Sequence, residues 1–298
     1  MSLNLKAAAL TVLVALLYTL NDAIMKFVMV ELPTFQAVMF RGFIVLPLLF
    51  ILAWRMQFLT WQLPPKSWRM SWARGIAEIV LTYFILQAFR HMYLSDVIAI
   101  LQATPLMLTI VAALLFAERV SRKRWGAVLL GFTGVLIIIQ PGTAAFDWAS
   151  LYALGAVASL TCREIITRHL PEKTPDLFPA IITSILVLVF AMAVTPFENW
   201  GTLTPQLMLY LAAAALFMTG ATYFAITMMR LGDVSFTAPF RYSGIIWSVI
   251  IGILFFQEWP SLATWTGAGI LVISGLMLIK EEQTSKTDNT GKTIQNHI

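Results

Sequence analysis

Long apolar runs separated by short polar stretches make up most of this chain. An α-helix rises 1.5 Å per residue, so about 20 apolar residues cross roughly 30 Å of hydrocarbon. By that measure the pattern predicts ten membrane spans: Lys6–Val30, Phe35–Trp54, Trp72–His91, Asp96–Ala117, Trp125–Gln140, Trp148–Thr167, Pro175–Pro196, Pro205–Met229, Ser235–Phe256 and Ser261–Lys280. The fifth is short, and the flanking Arg122, Lys123 and Arg124 can snorkel to make up the difference. From Glu281 to Ile298 the chain turns polar and is predicted to be a disordered tail.

Composition removes the soluble alternative. Residues are 59% hydrophobic and 12% charged, against about 25% charged in an ordinary soluble domain, and the mean hydropathy is +0.81. Lipid must solvate most of the surface, and the expected class is an all-α integral membrane protein. The first run is not read as a signal peptide, because no small-residue cleavage site follows it and further apolar runs do.

The net charge of +5 does not point to nucleic acid. Basic residues sit in short loops and form no stripe. Even-numbered loops and both ends hold Lys6; Arg55, Lys66, Arg69 and Arg74; Arg119, Arg122, Lys123 and Arg124; Arg163, Arg168 and Lys173; Arg230; and Lys280, Lys286 and Lys292. Odd-numbered loops hold only Lys26 and Arg90. The positive-inside rule then puts both termini in the cytoplasm, with the chain in an inner membrane for a bacterial source. The lone Cys162 lies within an apolar run, where it can form no intramolecular disulfide and no zinc spacing.

The chain also repeats itself. Thr82-Tyr83-Phe84 followed by Arg90 recurs as Thr222-Tyr223-Phe224 followed by Arg230, and Asp96-Val97 recurs as Asp233-Val234. Glu118 and Trp125 recur as Glu258 and Trp265, Gly126 and Gly134 as Gly267 and Gly275, and Asp22 and Lys26 as Glu164 and Arg168. The common order indicates an internal duplication, residues 1–142 and 143–280 forming the two repeats ahead of the tail at 281–298. Five spans per repeat is an odd number, so the second repeat is expected to cross the membrane inverted. Inverted repeats enclose a midplane site that rocking exposes to each side in turn, which points to a transporter.

Charges inside the hydrocarbon are retained only where partners or water meet them, and they mark the candidate site. Arg41 and Arg241 lie early in spans two and nine. Each could bind a carboxylate or phosphate in two-point fashion, or serve a structural ion pair; Pro239 leaves a carbonyl without its helical donor beside Arg241. Asp22 and Lys26 share a helix face, as do Glu164 and Arg168, and Glu78 lies one turn from Arg74. These are local ion pairs on one reading. On the other, Asp22, Glu78 or Glu164 is a protonatable coupling group. Tyr18, Tyr83, Gln87, Gln102, Tyr223, Tyr242 and Trp247 would suit a flat or cationic organic solute, or else pack the bundle and its interfaces. Gly126, Gly131, Gly134, Gly267, Gly269 and Gly275 are expected at close helix contacts, and Pro105 and Pro239 at kinks able to act as hinges.

Several stretches carry a family resemblance: Asn21-Asp22 with Lys26; Phe40-Arg41-Gly42; Ala73-Arg74-Gly75; Pro105; Ala117-Glu118-Arg119; Arg124-Trp125-Gly126; Ala238-Pro239-Phe240-Arg241-Tyr242; and Gln257-Glu258-Trp259-Pro260. From about Leu5 to Lys280 the chain resembles the drug/metabolite transporter superfamily, specifically its EamA-type members with two inverted five-helix repeats. Asn21-Asp22 and the stretch around Arg241 are most similar to the branch of S-adenosylmethionine uptake proteins and riboflavin importers, and less so to aromatic amino-acid exporters; an amino-acid or drug exporter of the same fold is the alternative. The resemblance implies secondary transport of a small organic metabolite, proton-coupled or facilitated, and adds Asn21 to the substrate-binding candidates. It implies no cofactor, and the sequence has no Gly-rich phosphate loop. Expected partners are the solute and membrane lipid, with the chain a monomer or homodimer. An enzyme is disfavoured: His91, His169 and His297 form no metal-binding pair, and neither a Gly-x-Ser-x-Gly elbow nor paired intramembrane aspartates occur. A non-transporting sensor or scaffold is the reading from another class.

Overall fold

The computed structural model describes residues 3–58, 62–115, 120–144, 146–231 and 234–295. Ala117, Glu118, Arg119, Asp233 and His297, all named above, lie outside the described residues, as do the side chains of Arg230, Val234, Lys286 and Lys292. Among the described residues the structure is helical throughout, without strands. The first repeat contains α1 (Leu3–Val28), α2 (Thr34–Arg55), α3 (Pro65–His91), α4 (Leu94–Leu101), α5 (Thr104–Leu115) and α6 (Arg122–Ile139). The second contains α7 (Ser150–Arg168), α8 (Leu177–Val194), α9 (Pro205–Leu231), α10 (Val234–Thr237), α11 (Ser243–Phe256) and α12 (Leu262–Gln295). A 3₁₀ turn, Thr195–Phe197, extends α8, and another, Ala238–Tyr242, joins α10 to α11.

Local chemistry accounts for several boundaries. Pro65 opens α3, where its missing N–H would have had no partner. Ser121 caps α6 by accepting the Arg124 N–H at 3.2 Å. Gln140 and Gln257 take left-handed conformations that close α6 and α11. α12 runs on to Gln295, into the polar stretch expected to be disordered. Once a helix is nucleated, each further residue adds a hydrogen bond at little extra cost.

Seven of the described helical segments are long and apolar enough to cross a membrane: α1, α2, α4 with α5, α8, α9, the 238–256 segment, and α12 up to Glu281. The remaining predicted spans correspond to α3, α6 and α7. α6 is short and opens on Arg122, Lys123 and Arg124, while α3 holds Arg74 and Glu78 and α7 holds Arg163 and Glu164. In α3 and α7 those charges are met by neighbouring helices, as described below.

The helices pair as a duplication requires. α1 packs on α9 and its counterpart α7 packs on α3; α2 packs on α8, α6 on α12 and α4 on α11. Exchanging the repeats turns this set of pairings into itself. At the α6–α12 seam the backbones touch: a Cβ on Gly134 would lie 2.8 Å from the Gly267 carbonyl, and one on Gly267 would lie 2.5 Å from the Gly134 carbonyl. Gly131 and Gly275 are similarly enclosed. Gly126 and Gly269, expected in the same role, face open space instead.

Both repeats contain an interrupted helix. α4 stops at Leu101 and α5 begins at Thr104, with Pro105 in its first turn. In the second repeat the 3₁₀ turn carrying Pro239 separates α10 from α11. Proline supplies no N–H and disfavours helix in the preceding residue, which explains both breaks. The breaks meet: the Gln102 amide donates to the Arg241 carbonyl at 3.3 Å.

Candidate functional site

Beside this meeting point lies a chain of charged side chains drawn from five elements. Glu78, midway along α3, accepts from Arg163 of α7 at 3.1 Å. The other Arg163 nitrogen is 3.6 Å from Glu164 Oε1, and the same oxygen is 3.9 Å from Arg241 on the 3₁₀ turn. Arg74 donates to the hydroxyls of Thr167 at 3.1 Å and Thr183 at 2.6 Å. On α1, the buried Asn21 donates to Asp22 at 2.9 Å and accepts from Arg41 of α2 at 3.0 Å. Tyr18, one turn before Asp22, faces Arg74 and Arg163.

A charge removed from water must be paired and hydrogen-bonded, and that requirement separates the members of this set. Arg41 is buried, tied to Asn21 and faced by Asp22 and Glu78. Arg163 is engaged by two carboxylates. Arg241 differs: its side chain is 65% exposed, and its only ion-pair contact among the described residues is the loose one with Glu164. Four guanidinium groups (Arg41, Arg74, Arg163, Arg241) face three carboxylates (Asp22, Glu78, Glu164), so the fully ionised set carries a net positive charge, and Arg241 is its least committed member.

The structure replaces the expected i, i+4 pairs with others. Lys26 does not pair with Asp22; it reaches Glu258 across the repeat boundary. Glu164 binds Arg163 and Arg241 and not Arg168. Glu78 is hydrogen-bonded to Arg163, and Arg74 acts on it only at longer range. Helix spacing permits an i, i+4 pair, but a partner on a facing helix can share a drier contact, and for Lys26 and Glu78 the facing helix prevails.

The uncharged candidates are dispersed. Tyr83 is half-exposed, stacks on Phe35 and meets Phe84 and Tyr152 edge-on. Gln87 follows one turn later on α3, half-buried. Tyr223, equally exposed on α9, meets Phe224, and no ring contact joins it to Tyr83 among the described residues. Trp247 has its indole N–H buried without an acceptor. Tyr242 is buried, and its hydroxyl fills the space a Cβ on Gly275 would take, so it packs into α12. Sequence reasoning missed Arg163 by treating it as a loop charge. Its place between Cys162 and Glu164 inside an apolar run was the available signal. It also missed Tyr152, which stacks on His91 and touches Tyr83. No group of His, Cys, Asp and Glu among the described residues could hold a metal ion.

With this geometry in hand, the comparisons become informative. The model of the EamA-like transporter family matches twice, over residues 5–140 and 147–280. The chain belongs to the EamA-like transporter family. The two matches coincide with the two repeats. Relatives include an S-adenosylmethionine uptake transporter of Rickettsia prowazekii, 29% identical over 61% of this chain and 62% of that protein. A riboflavin transporter of Vibrio cholerae is 30% identical over 64% of this chain and 63% of its own length. The chain thus spans less than two thirds of the length of either relative. A pseudopaline exporter of Pseudomonas aeruginosa is 24% identical over 92% of this chain and 96% of its own length. One solved crystal structure shares the fold, with a TM-score of 0.64 at 16% identity over 92% of this chain and 96% of that one. The chain is therefore a multi-pass membrane protein of a transporter family.

Proposed function

We propose that this protein is a secondary transporter that moves a small organic metabolite across the cell inner membrane by alternating access. Ten spans form two inverted five-helix repeats with both termini in the cytoplasm. The substrate binds where the two interrupted helices meet, and Arg241 anchors its anionic group. The observation that carries this reading is the exposed Arg241 guanidinium at the end of the Glu78–Arg163–Glu164 chain, beside the contact between the two breaks. Such a group can take a carboxylate or phosphate at little structural cost, because its present partner is weakly held. Asn21 and Arg41, hydrogen-bonded to each other, are further candidates for binding; Tyr18, Tyr83, Gln87, Gln102, Tyr223 and Trp247 are the candidates for contact with the organic body. Pro105 and Pro239 serve as hinges.

An S-adenosylmethionine- or riboflavin-like solute is the favoured cargo, on the strength of the named relatives. Export is the second reading, since a relative matched over nearly the whole chain is named an exporter. A proton on Asp22, Glu78 or Glu164 would couple solute movement to a gradient. The test is flux in proteoliposomes with radiolabelled S-adenosylmethionine and riboflavin, each with and without a pH gradient. Saturable flux whose half-saturating concentration rises steeply in Arg241→Ala is the expected result. Absence of saturable flux for any solute that raises the protein's thermal stability would leave a sensor or scaffold as the better description.

A further inference from the structure

At the far end of the bundle from Arg74 lies a second buried ion pair that the proposed substrate site does not use. The Lys26 ammonium contacts the Glu258 carboxylate, and the two side chains are 12% and 11% exposed. Lys26 also donates to the Met92 carbonyl at 2.6 Å and lies 5.3 Å over the Phe256 ring. The second Glu258 oxygen accepts the Leu94 N–H at 2.8 Å, capping α4. Nearby, Asp96 accepts from Thr264 at 2.7 Å. One knot thus ties α1, the α3–α4 junction and the α11–α12 junction, and it spans both repeats.

Three features make this knot more than a strut. It holds α4 and α11, which are segments of the two interrupted helices. Lys26 borders an open pocket of about 350 Å³, also lined by Met29, Phe89, Arg90 and Phe256, so its freed ammonium would have room for water. The knot also sits at one end of the bundle. α3 is 27 residues long and spans the bundle. Its Ser67 end meets Thr174, and Arg74 near that end meets Thr167 of α7, while Arg90 at its other end meets the Met29 carbonyl after α1. Arg168, the repeat counterpart of Lys26, therefore sits at the opposite end, and Glu118, the counterpart of Glu258, lies outside the described residues.

We infer that the Lys26–Glu258 pair is the gate of one mouth of the carrier, a role that rests on the transport reading above. While the pair is made, the Lys26 end is shut. When it breaks, α4 and α11 part, and the path to the central charged chain opens on that side. A fully dry pair would be hard to separate. This one has an open pocket beside Lys26, and the motion it controls belongs to helices that are already broken.

The test uses the full chain with Cys162→Ser and a reporter, Ile98→Cys, one turn inside Leu94 and only 8% exposed before substitution. A membrane-impermeant maleimide is added to right-side-out or inverted membrane vesicles. Lys26→Met and Glu258→Gln should each raise the labelling rate about tenfold from one face alone, as a shift toward the open state would; Lys26→Arg should keep the parent rate. Unchanged labelling in a folded Lys26→Met protein overturns the gate. Should the single variants fail to fold, Lys26→Cys with Glu258→Cys decides: a disulfide that stops flux, reversed by reductant, supports the gate, and flux through the cross-linked protein overturns it. Faster labelling without flux of any solute in the parent would uphold the opening of this mouth while removing the carrier reading.

Discussion

Arg163 of α7 donates to Glu78 at the centre of α3 across 3.1 Å, joining the two repeats through residues 85 apart in sequence. Their side chains are 24% and 17% exposed, so water screens the contact only in part. Removing one partner strands a charge, and the loss should be about 3 kcal/mol. Glu78→Ala is therefore expected to lower the melting temperature in detergent more than the double change Glu78→Met with Arg163→Met. A double variant less stable than Glu78→Ala would mean the pair is not the unit of stability.

Arg241 should behave in the opposite way. With an exposed side chain and its nearest carboxylate at 3.9 Å, Arg241→Ala should leave the melting temperature nearly unchanged. Charge-assisted hydrogen bonds contribute about 1.5–3 kcal/mol, so the half-saturating solute concentration should rise by about 10- to 100-fold. Arg241→Lys, which keeps the charge and loses the fork, should fall between. Unaltered uptake kinetics in Arg241→Ala would take this residue out of the site.

Proton coupling can be assigned by neutral isosteres. Asp22→Asn, Glu78→Gln and Glu164→Gln each replace one carboxylate by an amide of the same shape. If Asp22 carries the proton, the first variant should still exchange solute but lose the acceleration produced by an imposed pH gradient. A gradient effect that survives there and disappears in Glu164→Gln would move the role to the residue beside Arg241.

Two glycines on α12 should differ sharply. A Cβ at Gly275 would fall 1.4 Å from the Tyr242 hydroxyl, whereas one at Gly269 would meet nothing within 4 Å. Gly275→Ala should therefore cost about 1–3 kcal/mol in thermal or denaturant unfolding, and Gly269→Ala should be neutral or mildly stabilising through helix propensity. Adding Tyr242→Leu to Gly275→Ala should recover part of the loss; no recovery would place the clash elsewhere.

The membrane class and the duplication were legible because they rest on long, additive patterns: apolar runs of span length, and matched residues such as Tyr83 with Tyr223. The positions of the breaks were also visible, since Pro105 and Pro239 act on their own backbone. The partners of the charges were not. Asp22 and Lys26 look like a pair when only one helix is considered, yet Lys26 chooses Glu258, 232 residues away. Which facing helix offers the better-enclosed partner is set by packing, and no local spacing encodes it. Tyr242 illustrates the same limit: beside Arg241 in sequence it invites a shared role, but its ring turns into the gap left by Gly275.

The hydrogen bond from Gln102 to the Arg241 carbonyl has a mechanical meaning. Each repeat is weakest where its helix is interrupted, and this contact places both weak points in one spot. Bending either half loads the other directly, with no relay of intervening side chains. On the proposed function, a molecule seated there would press on a single shared joint.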